Sequence, residues 1–373
     1  MAEPIVWPLE DHTAAKHGLL EAYLKAWLPI MGQQALDVSR RGLDSGKPRL
    51  LLVDGFAGPG VYEDGQAGSP ILMLRTLLGH SAFGRLDRVK FMFLFIEHDK
   101  RRVARLEAEV DALGPLPKNV TVMIEAGHYE DVFGQLITDI QGRGKVIVPT
   151  FAFVDPFGYS HSSMSLAGSL LDFPRTEVLI FLPLSAISRF VGRDGQDAAM
   201  DSLFGCSDWR DAIELRGEER NEFLMDLFRA QLAKAAGVKH VRSFQLRTRD
   251  GKDYRLVFGL AHDRGLEIAK DAMWAVDTLA GTSYVARMDT GEPVLFNEAP
   301  PVHLLLAALK QTFGTEPFTI EDAQRRTLDT VFRAAHLKKM TLAPAERSGE
   351  LEVTGARARR FTYPAGTEMR FTA

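Results

Sequence analysis

A single cysteine, Cys206, in a chain of 373 residues excludes an internal disulfide and any cysteine-built metal centre. Alone, it reads as an inert small residue. The ten histidines are scattered, and none forms the helical pair, four residues apart, that holds zinc in a hydrolase. No uncharged apolar run reaches the roughly 18 residues that a membrane span needs. The first residues carry acids and prolines where a signal peptide has a basic and then an apolar segment, so a cytoplasmic protein is expected. Basic excess is missing too: the formal net charge of −4 offers no overall attraction to nucleic acid, although a local basic face remains compatible with it. Internal repeats and low-complexity segments are absent.

What is present fits a soluble globular chain, with 46% apolar and 25% charged residues. Its length exceeds one ordinary core and implies two domains, or one with large additions. From Pro300 onward there are 11 Lys/Arg against 8 Asp/Glu, leaving 34 against 41 for the rest, so a mildly basic tail follows an acidic body.

Leu50 to Gly60 organises the chain. Leu50, Leu51, Leu52 and Val53 form a continuous apolar run, as in a strand buried on both faces, and Asp54 ends it. Gly55, Ala57, Gly58 and Gly60 then leave no bulk over the following turn, where a ligand can lie against the backbone. Before this, Leu19, Leu20, Tyr23, Leu24, Trp27 and Leu28 fall at helical spacing between His12 and Ala35, with Pro29 expected to interrupt the pattern. After it, Ser69-Pro70 reads as a helix cap and first turn.

Strands and helices then alternate. Phe91–Ile96, Val120–Ile124, Phe151–Val154 and Glu177–Leu182 read as strands, separated by helices over Lys100–Leu113, Asp131–Ile140 and through Leu166, Leu170 and Leu171. Such alternation implies parallel crossover units in an open, doubly wound α/β sheet. A charged helical stretch between Gly192 and Lys239 reads as an insertion. Val241–Arg247 and Tyr254–Leu260, joined across Asp250-Gly251, read as an antiparallel hairpin, followed by a helix over Gly265–Leu279. Past Pro300-Pro301, helices over His303–Phe313, Thr319–Thr327 and Leu328–Leu337, then short strands at Leu351–Thr354 and Arg360–Tyr363, suggest a winged helix. The expected layout is an N-terminal helical segment (1–48), the core (49–192), the insertion (193–239), the remainder of the core with its hairpin (240–299) and a winged-helix-like domain (300–373).

The carboxyl ends of parallel strands share one edge, where ligands of doubly wound folds bind. A dinucleotide loop requires G-x-G-x-x-G with a helix starting at once; glycines at 55, 58 and 60 with a helix delayed to Ser69 fail that test. This disfavours a dehydrogenase, and no carboxylate–lysine cluster at nuclease spacing stands out. Asp54 followed by Gly58 and Gly60 instead resembles the first motif of S-adenosylmethionine-dependent methyltransferases. Phe56-Ala57-Gly58-Pro59-Gly60 is similar to the F-x-G-x-G of nucleic-acid amino-methyltransferases, and a sheet ending in a hairpin is the plan of class I methyltransferases. A glycine-rich turn without a ligand is the plain alternative. Glu97, ending the second strand, can accept both hydroxyls of a ribose, or can cap the next helix. Gly127 and His128, after the third strand, are candidates to approach the adenine.

Asp155-Pro156-Phe157-Gly158 resembles the Asp/Asn-Pro-Pro-aromatic element of the amino-methyltransferases. There the acid and the first proline's carbonyl accept hydrogen bonds from the target amine, and the aromatic ring stacks on the base. Asp155 and Pro156 match. The second proline is replaced by Phe157 and the aromatic by Gly158, so stacking falls to Phe157 or Tyr159. Asp-Pro is also a common turn starter.

In combination, DGFAGPGVYEDGQAGSP at 54–70, FIEHD at 95–99, FVDPFG at 153–158, EVLIFLPLSAISRF at 177–190 and AKDAMWAVD at 269–277 resemble the three-Cys-motif partner (TcmP) family. The resemblance implies a Rossmann-like methyltransferase fold, S-adenosylmethionine as cofactor, and a radical-S-adenosylmethionine-like partner with three cysteines. The expected activity is methylation of an exocyclic amino group on DNA or RNA. Asp54, Gly55, Phe56, Ala57, Gly58, Gly60, Glu97, Gly127 and His128 would hold the cofactor, and Asp155, Pro156, Phe157 and Tyr159 the target. The alternative is an adaptor that keeps the fold and docks its partner.

Overall fold

The computed structural model describes residues 4–41, 48–156, 163–277, 281–285, 300–354 and 357–372. The apolar run at Leu50–Val53 lies at the centre of a sheet, in strand β1 (Arg49–Asp54). β1 pairs in parallel with β2 (Lys90–Glu97) on one side and β4 (Thr150–Val154) on the other. β3 (Val120–Ala126) extends the sheet beyond β2, and β5 (Thr176–Leu182) beyond β4, both in parallel. β7 (Asp253–Leu260) then runs antiparallel to β5, and β6 (His240–Arg247) antiparallel to β7. The order is therefore β3-β2-β1-β4-β5-β7-β6, with a short β8 (Ser283–Val285) beyond β6.

Burial explains which strands are central. Every residue of β5 is buried, as are all but the first of β1, whereas β3 at the sheet edge is largely open to solvent. Crossover helices α2 (Ser69–Leu78), α3 (Lys100–Asp111), α4 (Tyr129–Gly142) and α5 (Met164–Leu171) connect the parallel strands. The Gly192–Lys239 stretch holds α7 (Asp197–Phe204) and α8 (Gly217–Leu232), after the short α6 (Leu184–Phe190).

α1 (Asp11–Arg40) runs through Pro29, contrary to the expected interruption. Proline removes one donor from the helix. Packing on both sides outweighs this, because Leu19, Leu20, Tyr23, Leu24, Trp27 and Leu28 before or beside it, and Met31, Ala35 and Leu36 after it, are all buried. A fully buried large apolar side chain contributes about 1.5–3 kcal/mol. A polar anchor fixes the register of α1: Tyr23 Oη and Trp27 Nε1 both donate to the buried Glu177 Oε2 at 2.6 Å.

The chain divides into two compact units, Met1–Gly265 with Tyr284–Arg287, and Leu266–Ser283 with Met288–Ala373. The second takes in most of α9 (Asp263–Val276), upstream of Pro300. Lys270 Nζ donates to the Thr327 carbonyl at 2.8 Å and Trp274 Nε1 to that of Val331, also at 2.8 Å. This unit runs α10 (Val302–Phe313), β9 (Phe318–Thr319), α11 (Ile320–Leu328), a helical stretch α12 (334–347) with a π-helical middle at Leu337–Leu342, β10 (Leu351–Val353) and β11 (Glu368–Phe371). The antiparallel sheet order is β10-β11-β9.

Two expectations fail here. The third helix begins at Ala334, because 329–333 form a turn after α11. The last strand is Glu368–Phe371, whose inward Met369 and Phe371 alternate with outward Glu368 and Arg370; residues 360–363 are instead a turn, with Phe361 at φ 59°. Among the described residues, no helix is long and apolar enough to cross a membrane.

The delayed helix α2 has a simple cause. Residues 61–67 form a closed excursion: Val61 bridges Ala67, and Gly68 N–H donates to the Gly60 carbonyl at 2.8 Å. The helix therefore starts beside the glycine loop in space. Gly68 is its cap; Ser69, read as the cap from the sequence, is its first residue. A Cβ at Gly68 would lie 2.9 Å from the Gly60 carbonyl carbon, where no side chain can yield. Gly68→Ala is expected to cost about 1–3 kcal/mol, seen as a lower urea midpoint. Gly84→Ala, whose Cβ meets nothing within 4 Å, should leave the midpoint near that of the parent.

Candidate functional site

The glycine loop is pinned by backbone donors. Gly55 N–H donates to the Phe153 carbonyl and Ala57 N–H to that of Ile96, each at 2.9 Å, tying the loop to both neighbours of β1. Gly58 and Gly60 take φ values of 62° and 76°, which favour glycine. Gly55 is required for a different reason: a Cβ there would sit 2.6 Å from the Tyr129 ring.

Glu97 is almost wholly buried, at 2% exposure. Its Oε2 accepts the Gly58 N–H at 3.0 Å and its Oε1 the Asp99 N–H at 2.8 Å, with His98 Nδ1 at 3.1 Å and Arg102 Nη1 at 4.0 Å. The acid therefore shapes the loop before any ligand is considered, and each oxygen keeps further acceptor capacity. The capping role belongs to Asp99, whose side chain accepts Arg101 N–H at the start of α3. Gly127 N–H donates to the Glu97 carbonyl at 3.0 Å, and the His128 ring stacks on that of His98 at 5.3 Å and 12°.

Asp54 is fully buried. One oxygen, Oδ1, accepts the Phe56 N–H at 3.2 Å, while Oδ2 has no hydrogen-bond partner. Burial pushes its carboxyl up to about 7, with the Ser69 hydroxyl and Phe56 amide opposing that shift and the charge of Asp155 adding to it. An acceptor left unanswered in the interior is costly, and it marks a place where a donor or cation would be stabilised.

Beside the loop opens a cavity of about 400 Å³. It brings together Phe56, Ala57, Gly58, Gly60, Asp155 and Pro156 from the expected set. Asp54, Gly55, Glu97, Gly127 and His128 are not among its lining residues. Phe157 and Tyr159 lie outside the described residues.

Among the lining residues that escaped the sequence reading, four stand out. Lys16, from α1, donates to Asp155 Oδ2, its Nζ lying 4.6 Å from the centre of the Phe181 ring. His12, one helical turn earlier, stacks on Tyr254 at 4.4 Å and 4°. Phe181 and Tyr254 are themselves stacked, at 5.3 Å and 19°. Burial and the neighbouring Lys16 lower the His12 imidazole below its ordinary value, against the opposing charges of Glu10, 3.1 Å away, and Asp155. The available sign was a lysine on an apolar helical stripe: Lys16 precedes Leu19, Leu20 and Tyr23 by three, four and seven residues. Phe181 and Tyr254 look like core strand residues until β5 and β7 are paired.

A doubly wound sheet with its last long strands antiparallel, and a cavity at the carboxyl end of its first strand, defines a Rossmann-like α/β fold of the methyltransferase type. No family model matches the chain, and no curated protein matches it. Similar solved structures include one assigned as a methyltransferase from Porphyromonas gingivalis W83, at 12% identity and TM-score 0.25 over 61% of this chain and 41% of that one. Others are a methyltransferase from Pyrococcus furiosus, at 14% identity and TM-score 0.29 over 62% and 82%, and loganic acid methyltransferase with SAH, at 8% identity and TM-score 0.30 over 64% and 78%. The match spans less than half the length of the first of these.

Asp54 makes stability depend on pH in a defined direction. Its folded-state value, about 7, lies above the ordinary 3.8, so its contribution is fully present below about pH 4 and lost as pH rises through 7. Asp54→Asn should remove that loss. The variant is expected to match the parent at pH 4.5 and exceed it at pH 8, by up to about 4 kcal/mol in urea unfolding.

Proposed function

We propose that this protein binds S-adenosylmethionine and methylates an exocyclic amino group of a nucleic-acid base, as the resemblance of Phe56–Gly60 and Asp155-Pro156 to the corresponding elements of nucleic-acid amino-methyltransferases implies. The observation that carries the cofactor reading is Asp54 Oδ2, a buried acceptor with no partner beside a backbone loop kept clear of side chains. Asp54, Gly58 and Gly60 would hold the methionine part, Glu97 the ribose through its remaining lone pairs, and Gly127 and His128 the adenine side. Bound there, the cofactor supplies an electrophilic methyl group. The chain's own task is to position the target and draw on its N–H groups, a role for Asp155 at the cavity wall.

The missing aromatic of the Asp-Pro element has a substitute in this reading. His12, Phe181 and Tyr254 present stacked rings along the same cavity as Asp155, and a planar base is stabilised on such rings. A duplex substrate would have to extrude its base. Within the second unit, α10, α11 and α12 with the three-stranded sheet are compatible with the winged-helix plan, and would grip nucleic acid. Lys339 and Arg347 on its third helix, and Arg359 and Arg360 in the β10–β11 connection, are exposed and available to phosphates.

A second reading, an adaptor that docks a three-cysteine radical-S-adenosylmethionine-like protein, is favoured by one observation: Asp155 already commits an oxygen to Lys16. Tritium transfer from labelled S-adenosylmethionine to DNA, RNA and tRNA, with and without that partner, separates the two. The methyltransferase reading expects transfer to one of them, reduced at least 100-fold in Asp155→Ala. Cofactor binding without transfer to any of them would leave the adaptor.

A further inference from the structure

Lys16 is the only lysine or arginine among the described residues lining the loop cavity. Its side chain is 6% exposed, a deep placement for a residue type that is seldom buried unless paired. An ammonium has three donors. One is met by Asp155 Oδ2, the single hydrogen bond found for Nζ, which leaves donor capacity inside a cavity shared with Gly58, Gly60 and Ser69. His12, the other basic group there, is shifted toward its neutral form by burial and by Lys16 itself. The cavity therefore has one buried cation on its α1 wall and, behind the loop, one buried carboxylate oxygen without a partner at Asp54.

A buried ammonium on a cavity wall, with donors left over, is a receptor for an anionic ligand group such as a carboxylate. It would be of no use against a purely apolar ligand, and Asp155 answers only part of what an ammonium taken out of water requires. We propose that Lys16 binds the α-carboxylate of the cofactor's methionine end, bridging it to Asp155. This rests on the S-adenosylmethionine reading above and adds a residue of α1 to it. It also gives the N-terminal helix a chemical role at the site, and explains why Glu177 fixes its register through Tyr23 and Trp27.

The test compares S-adenosylmethionine with its decarboxylated analogue, which keeps the nucleoside, the sulfonium and the ammonium and lacks only the carboxylate. Calorimetry on the full chain should show the parent favouring the intact cofactor by on the order of 10-fold to 100-fold, the span of a charge-assisted hydrogen bond. In Lys16→Met that preference should fall to near 1 through weaker binding of the intact cofactor, with the analogue unchanged; Lys16→Arg should retain it. Equal weakening of both ligands in Lys16→Met, or no effect on either, would overturn the proposal and leave the cofactor reading standing. If Lys16→Met does not fold, the parent alone decides, since equal affinity for the two ligands overturns the assignment. A parent that binds neither ligand would instead remove the cofactor reading, and this inference with it.

Discussion

A carboxylate buried at the end of the central strand, with one oxygen unanswered, is the constraint around which the first unit is arranged. Asp54 is there because β1 is flanked by strands on both sides and covered on both faces, so its last residue has no route to water. Past Asp54 the backbone must turn sharply without bulk, and the loop glycines do this under the hold of Glu97 on the Gly58 N–H. The Ser69 hydroxyl from the start of α2 relieves part of the burial cost of Asp54. A cationic donor would offset the remainder.

The site is completed from outside the sheet. α1 is anchored by Glu177 and brings His12 and Lys16 to the cavity, while β5 and β7 contribute Phe181 and Tyr254. The charged and aromatic groups meet there, with Lys16 Nζ over the Phe181 ring and His12 stacked on Tyr254. The antiparallel β5–β7 pairing shapes the cavity as well as the topology, because it places Tyr254 against Phe181.

The sheet was legible because its signals are local. Leu50–Val53, Phe91–Ile96 and Phe151–Val154 are short apolar runs closed by an acid, and Asp250-Gly251 marks the hairpin. The placement of Asp54, the glycines and Glu97 at strand ends could be read for the same reason. Lys16 could not, because its pairing with Asp155 spans 139 positions and depends on how α1 crosses the sheet. Pro29 misled because propensity is local while the packing of Met31, Ala35 and Leu36 is not. Near the C-terminus, the aromatic Phe361 and Tyr363 suggested a strand, whereas the alternation in Glu368–Phe371 carried it.

If the unanswered oxygen of Asp54 is the receptor for the cofactor's ammonium, binding must expel a proton, because a carboxyl poised near 7 ionises when a cation arrives. Calorimetric titration of S-adenosylmethionine at pH 7, in buffers of different ionisation enthalpy, measures that directly. We expect net proton release, absent in Asp54→Asn. Binding with no proton exchange, or with the same exchange in Asp54→Asn, would contradict the account.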